Sequence, residues 1–406
     1  MHYQHRPYKL KTTHNRILFI TQWQFKDPLV QTYTLPYVRI IQKITSCYPY
    51  VVTVGGKNKS ITVKRKEGII SIEMPTGNGR LFLGWLLNTL SLHKIIGKKN
   101  IKIIHPWCTT AGAIGAILKI LNKKATLNID SFEPHAESMV ENKTWSKFGL
   151  KFKALFYFEK KEAKIADYLI FGAEGMEKYI LEKYKTTVTK YSIKPACIDL
   201  EAFSEKFLNN NELTANYNLV DKIVCVYAGK FGGIYLEDET FEFIHSCENF
   251  WGKDTFRFLL LSAASDDYIN KMTFKYSIQK STVIKLFVPH KDVPLYLGLA
   301  NFAISPYKPV PSKRYCAPIK NGEYWAMGLP IVIPPNISVD SQIIKESRAG
   351  AILESLDEKG YTSAIMQIEA IIKGKSRMEI YNQIRPLAEK YRNFSIAEKI
   401  YRKIYG

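Results

Sequence analysis

The chain has 406 residues, 46% of them hydrophobic and 23% charged, enough to bury two ordinary cores of about 100–200 residues each. Lysine and arginine number 58 against 37 acidic residues, a net charge of +21 that favours an anionic partner such as nucleic acid, a phosphorylated ligand or lipid headgroups. Six cysteines stand singly at 47, 108, 197, 225, 247 and 316, a spacing that excludes close-paired zinc motifs and small disulfide scaffolds and reads as reduced thiols in a cytosolic protein.

The amino terminus is basic and then runs directly into a short strand-like apolar segment, so no export signal is read there. Arg16–Thr21 reads as a buried first strand, and a polar loop with Asp27 and Pro28 leads to a helical pattern over Leu35–Ile44. A Gly-Gly break at 55 and 56, an extended basic piece Ile61–Lys66 and the apolar run Leu81–Ile96 follow. The most apolar part of that run, Leu81–Leu92, is too short for the roughly 20 residues of a membrane-spanning helix. A strand over Ile101–Ile104, a small-residue helix over Ala111–Leu121, a strand over Ala125–Ile129, an amphipathic stretch Phe158–Ala166 and a strand over Tyr168–Phe171 continue the alternation. Alternating strands and helices favour a parallel sheet.

Lys194–Phe203 and the polar stretch after it read as the interdomain linker. The second half restarts with strands at Ile223–Tyr227, Phe256–Leu261, Val283–Phe287, Phe302–Ile304 and Ile331–Ile333, separated by helices near Asp238–Ser246, Asp266–Lys271, Val293–Leu299 and Gly322–Met327. Arg377–Tyr405 reads as a long helical tail with Pro386 as a kink. The fold class is therefore α/β, two doubly wound domains at 1–195 and 205–385, with residues 386–406 returning to the first domain.

In open α/β sheets ligands bind beyond the carboxyl ends of the strands. After Ile223–Tyr227 comes Ala228-Gly229-Lys230-Phe231-Gly232-Gly233, where glycines let the backbone approach a ligand and Lys230 supplies charge to a diphosphate. Taken alone, this is as readily an ordinary glycine turn. Pro318 to Val332 combines a loop, a short helix and a strand, and Lys320 and Glu323 stand three apart on one helix face. A lysine at a helix N-terminus can neutralise a diphosphate, and a carboxylate one turn on can accept both ribose hydroxyls. An exposed ion pair is the plainer alternative.

This segment resembles the nucleotide-sugar signature of GT-B glycosyltransferases, above all glycosyltransferase family 4: Pro318, Lys320, Glu323, Ala326, Gly328, Pro330, Ile331 and Val332 fill its fixed positions. Glu159 to Asp167, Pro195 to Phe203 and Val288 to Asn301 fall in the family's order, and Tyr391-Arg392-Asn393-Phe394-Ser395 is similar to its returning C-terminal helix. The resemblance implies two Rossmann-like domains and transfer of a sugar from a nucleotide-sugar donor, UDP- or GDP-linked, to a glycan or lipid-linked acceptor, with retention of configuration. By the same resemblance Glu323 binds ribose, Lys230 with Gly229 and Lys320 the diphosphate, the backbone of Val288, Pro289 and His290 the base, and His135 is the catalytic residue near the donor sugar, with Lys313 and Arg314 further phosphate ligands. No metal and no cofactor besides the donor is expected.

Two positions depart from the family: Tyr315 stands where retaining members carry a glutamate, and Gln22 to Asp27 replaces the glycine-rich first loop, leaving Lys26 and Asp27 as acceptor-side candidates. A nucleotide-sugar 2-epimerase of the same fold and a non-catalytic nucleotide-sugar-binding protein therefore stay open. The lysines of the first half, interleaved with Phe82, Trp85, Trp145, Phe148 and Phe152, suit peripheral contact with an anionic membrane from the cytoplasmic side. Solvated charge over a core accounts for them equally, and no nucleic-acid-binding motif accompanies them.

Overall fold

The computed structural model describes residues 16–56, 60–75 and 81–406, and for residues 56 and 81–86 the backbone alone. The amino-terminal segment before Arg16 and the side chains of Phe82 and Trp85 thus lie outside the described residues.

The first domain is a sheet of β1 (Ile17–Ile20), β2 (Pro49–Gly56), β3 (Thr62–Lys66), β4 (Ile69–Pro75), β5 (Ile103–Pro106), β6 (Thr126–Phe132), β7 (Tyr168–Phe171) and β8 (Tyr191–Ile193). Their order is β3-β4-β2-β1-β5-β6-β7-β8, parallel except where β3 pairs antiparallel with β4. α1 (Leu35–Thr45), α2 (Leu81–Lys99), α3 (Cys108–Leu121), α4 (His135–Glu141), α5 (Leu150–Ile165) and α6 (Met176–Tyr179) connect them. β1 is fully buried along its length, as a central parallel strand covered by helices on both faces must be.

After α7 (Asn211–Asn216) the second sheet is built from β9 (Ile223–Ala228), β10 (Phe256–Leu261), β11 (Val283–Leu286), β12 (Phe302–Ile304), β13 (Ile331–Ile333) and β14 (Gly350–Ile352). It is all parallel in the order β11-β10-β9-β12-β13-β14, the doubly wound arrangement with its switch point between β9 and β12. Its helices are α8 (Asp238–Trp251), α9 (Asp266–Lys275), α10 (Val293–Leu297), α11 (Ile319–Ala326), α12 (Asp340–Ser347) and α13 (Glu358–Ile372). A core of buried Val, Ile, Leu and aromatic residues fills each domain, each such side chain stabilising the fold by about 1.5–3 kcal/mol.

The tail differs from its expected form. α14 (Arg377–Tyr391) passes through Pro386 without a break and stays on the second domain, where Arg385 donates to the carbonyls of Leu200 and Ala326. The chain turns instead at Arg392-Asn393, and α15 (Phe394–Tyr405) packs on α1 of the first domain. Ile198 and Asn393 bridge there, with Ile198 N–H donating to the Arg392 carbonyl at 2.7 Å, so linker and tail cross side by side.

Candidate functional site

Both sheets aim their carboxyl ends at one cavity of about 650 Å³ between the domains. The second domain contributes the loops after β9, β10, β11 and β12 and the start of α11.

α11 is set by its inward side. Asn321 takes the Ser305 hydroxyl at 2.6 Å and donates to Asp340 Oδ2 at 2.7 Å, and Asp340 also holds the buried Arg392 guanidinium. Tyr324 Oη accepts the Ala228 N–H at 2.9 Å, which pins the helix to the end of β9. Anchored so, the helix turns Lys320 and Glu323 into the cavity with its N-terminus, where the backbone dipole favours an anion.

Lys320 Nζ donates to Tyr235 Oη at 2.8 Å and lies 4.5 Å from the centre of that ring. Burial is the largest influence and would raise the Tyr235 pKa, but the Lys320 charge and hydrogen bond, with Tyr307 and Lys230, together outweigh it and hold the phenol below the ordinary tyrosine value. Tyr235 in turn meets Tyr307, ring centres 4.9 Å apart. Lys230 is exposed at the cavity, its carbonyl fixed by the Tyr227 hydroxyl at 2.6 Å. A Cβ at Gly229 would stand 2.7 Å from Lys320 Cε and 2.8 Å from Tyr227 Oη, so only glycine lets this turn and the lysine coexist. Gly232 and Gly233 follow with positive φ, the conformation glycine adopts without cost.

Glu323, nearly buried, pairs with His290 Nε2 at 2.8 Å. That bond, against the opposing effect of burial, raises the His290 pKa above its ordinary value. The Val288-Pro289-His290 turn lines the same wall. Lys313 lines it too, buried, with Nζ donating to Ser138 Oγ at 2.7 Å; beside it the Ser312 N–H reaches Glu141 Oε2 at 3.1 Å. These two bonds join the second domain to α4 of the first.

The first domain supplies Trp23 after β1, Tyr33, Cys108 after β5, Ser131 and Glu133 at the end of β6, and Gly172 after β7. The pairing of β6 with β7 shifts register between Ile129 and Phe132, where Ser131 has a left-handed φ of 53°; Ser131 and Glu133 both line the cavity. Tyr33 Oη meets Ser131 Oγ at 2.8 Å.

Gly229, Lys230, Val288, Pro289, His290, Lys320 and Glu323 are thus brought together as the sequence suggests. His135 is not among the residues lining the cavity: it opens α4 just past the strand end, and its Nδ1 lies 3.9 Å from Oε1 of Glu133, which does line it. Burial would raise the Glu133 pKa, but His135 and Lys313 outweigh it, and the carboxyl is held below its usual range. Arg314 also lies off the cavity, its guanidinium 5.5 Å from the Tyr315 ring. Tyr315 packs 5.2 Å from Tyr179 of the first domain and does not face the ligand space. Lys26 and Asp27 stand away from the cavity as well; Asp27 Oδ1 accepts the Leu29 N–H at 2.9 Å and shapes its own loop. Trp23, Tyr33, Glu133, Tyr235 and Tyr307 were not singled out from sequence, because each is brought in by the crossing of distant loops and carries no local spacing signal.

Among the described residues no group of three or more His, Cys, Asp or Glu side chains could hold a metal ion. None of the six cysteines is in a disulfide, and no described helix is long and apolar enough to cross a membrane.

No protein-family model matches the chain, and no curated protein matches it. Solved structures do. Sucrose-phosphate synthase from Thermosynechococcus elongatus superposes with a TM-score of 0.72 at 15% identity, covering 97% of this chain and 99% of that one. WaaG, a glycosyltransferase involved in lipopolysaccharide biosynthesis, gives 0.70 at 13% identity over 96% of this chain and all of its own. Anabaena HepE, in complex with UDP and glucose, gives 0.68 at 12% identity over 96% and 99%. The expected pair of Rossmann-like domains with a returning helix, the GT-B fold, is therefore the architecture this chain shares with those proteins.

Proposed function

We propose that this protein is a glycosyltransferase that moves a sugar, a hexose or a close relative, from a UDP- or GDP-linked donor to a glycan or lipid-linked acceptor with retention of configuration. The observation that carries the reading is the convergence of Lys230, Lys320 and Glu323 on one cavity at the switch point of the second sheet. UDP bound in HepE, a protein of the same fold, supports it.

In this reading Glu323 accepts the ribose hydroxyls, the Val288–His290 backbone meets the base, and Lys230 and Lys320 hold the diphosphate. The acceptor oxygen forms the new bond to the anomeric carbon as the bond from that carbon to the diphosphate oxygen breaks. The diphosphate leaves with the electron pair, and the acceptor proton passes to the leaving phosphate or to solvent. Both lysines then stabilise charge as it develops, in the cleft between the two domains. His135, beside Glu133, steadies the carboxylate on the opposite wall.

Isothermal titration with UDP and GDP, on wild type, Glu323→Ala and Lys320→Ala, tests this. Binding of one nucleotide that both variants lose supports the assignment; failure of both nucleotides to bind the wild type refutes it. Turnover of the matching donor without acceptor, with inversion at the sugar's second carbon, would identify a 2-epimerase instead.

Peripheral membrane contact belongs to the same proposal. Phe148, Leu150 and Tyr157, at and along α5, are exposed by 83%, 84% and 60%, and the neighbouring Lys147, Lys151, Lys153 and Lys160 are exposed as well. Trp145 and Phe152 are half-buried, Phe152 stacked on Phe156, and contribute less. Apolar tips among lysines suit an anionic headgroup layer. Flotation with anionic vesicles should carry the protein at low salt, and its absence at low and high salt alike would dismiss the contact.

A further inference from the structure

The two walls of the cavity differ in charge. Its lysines, Lys230, Lys313 and Lys320, all come from the second domain. The first domain presents aromatic, apolar and hydroxyl groups, and among its described lining residues the single charged one is Glu133. One basic group behind that wall is Lys194. It is fully buried, with Nζ 3.2 Å from Asp130 Oδ1 and 3.7 Å from the centre of the Tyr37 ring, so its charge is already matched inside the domain.

The wall also has shape. Trp23 is half-buried, and its carbonyl accepts the Val54 N–H at 3.2 Å, which holds its loop against β2. An indole so held offers a flat apolar face to the C–H side of a sugar ring. Deeper in, the Tyr33 and Ser131 hydroxyls bond each other at 2.8 Å and can each also bond a ligand hydroxyl. Glu133, one-third exposed and held as a carboxylate by His135 and Lys313, accepts hydrogen bonds only.

On this basis, and resting on the glycosyltransferase reading, we infer that the acceptor portion seated in the first-domain half is an uncharged sugar lying on Trp23 with a hydroxyl on Glu133, and that sugar phosphates are rejected there. A phosphate on this wall would meet the Glu133 carboxylate, whose basic neighbours are already engaged, Lys313 with Ser138 and His135 with Glu133 itself, and such like-charge contact is how binding sites exclude a wrong partner. The donor's diphosphate is accommodated because it lies on the other wall.

The test is saturation-transfer-difference NMR on the full chain with a fixed panel: methyl glucoside, methyl galactoside and methyl mannoside, against glucose 6-phosphate, galactose 6-phosphate and mannose 6-phosphate. Each is run with and without saturating UDP or GDP. The expected result is binding of at least one neutral glycoside, weakened more than tenfold in Trp23→Leu, with sugar phosphates excluded until Glu133→Gln admits them. Binding of sugar phosphates to wild type as well as neutral sugars, no neutral sugar bound at all, or neutral binding indifferent to both substitutions overturns the inference. Nucleotide binding in the same samples separates the two readings: if UDP or GDP binds while phosphates win, only this inference falls.

Discussion

The Tyr401 hydroxyl, on the last helix of the chain, donates to Asp130 Oδ2 at 2.6 Å inside the first domain. Asp130 is fully buried at the end of β6 and also receives the Lys194 ammonium and the Ser131 hydroxyl, and Ser131 holds Tyr33 at the cavity. Burial would raise the Asp130 pKa, but Lys194 and His105 outweigh it and bring it to about 2. The returning helix is therefore linked through Asp130 and Ser131 to the first-domain wall of the cavity.

Removing that bond should be felt as stability. Tyr401→Phe leaves a buried carboxylate one donor short and should cost about 1–3 kcal/mol in urea unfolding. Asp130→Asn strands Lys194 without its counter-charge and should cost more, about 3–5 kcal/mol. Because the native Asp130 pKa is depressed, its contribution is present above the unfolded value of about 3.9 and is lost as pH falls toward about 2. Tyr401→Phe should accordingly unfold at a higher pH in acid titration, and equal urea midpoints for Tyr401→Phe and wild type would contradict the role given to the helix.

The His290–Glu323 pair makes a spectroscopic prediction. The carboxylate raises the His290 pKa against the effect of burial, so the pair's stabilisation is complete below about 6.5 and fades as pH rises through the raised value. His290 ring signals should titrate above 6.5 in wild type and at or below it in Glu323→Gln. Identical titrations in the two proteins would mean that the bond does not persist in solution.

Gly229 is the sharpest steric prediction at the second-domain wall of the cavity. Alanine there would place Cβ 2.7 Å from Lys320 Cε and 2.8 Å from Tyr227 Oη; the end of the lysine moves readily, and the buried tyrosine must give by a few tenths of an ångström. Gly229→Ala should keep its melting temperature within a few degrees while weakening nucleotide affinity by tenfold or more. A variant that binds nucleotide as wild type does would remove Lys320 from the diphosphate site.

The second-domain wall of the cavity was legible in the sequence because it is local. Lys320, Glu323 and Gly328 sit within one strand-to-strand unit and Gly229-Lys230 directly follows a strand, and the resemblance carried by Pro318 to Val332 chose the ligand-site reading over a glycine turn and an exposed ion pair. The opposite wall is built by convergence: Trp23 and Tyr33 come from the segment between β1 and α1, Ser131 and Glu133 from the end of β6, Tyr33 and Ser131 meet across 98 positions, and Asp130 reaches Tyr401 across 271. Strands such as β1, β10, β12 and β13 read clearly as apolar runs between polar breaks. β4 and β14 did not, since β4 alternates burial beside an edge strand and β14 is a three-residue Gly-Ala-Ile segment. His135 was expected at the donor sugar from the family resemblance; it opens α4 with Nδ1 3.9 Å from Glu133 Oε1 and does not line the cavity.

Glu159 on α5 ties the pH response of the first domain to its bridge with the second. Its Oε1 accepts the Ala136 N–H at 2.8 Å at the start of α4, and its Oε2 accepts the Tyr184 hydroxyl at 2.9 Å. α4 then carries Ser138 and Glu141, which bond Lys313 and Ser312 of the other domain. Burial, opposed by these two hydrogen bonds, raises the Glu159 pKa to about 8, so the carboxyl is largely protonated at neutral pH. The folded protein thus keeps a proton that the unfolded chain releases near pH 4.3, and stability must fall as pH rises from there to about 8, by at most about 1.4 kcal/mol per unit for this one group. Glu159→Gln cannot ionise and removes that slope. Its thermal stability should match wild type or fall slightly below it at pH 5.5 and exceed it at pH 8.5. The neighbouring Glu162, buried against Gly112, is raised by burial and by the Glu159 charge, so the difference between the two curves reports Glu159 together with its coupling to Glu162. Curves that run parallel from pH 5.5 to 8.5 would show that Glu159 is already ionised in the native state and that α4 is held by other means.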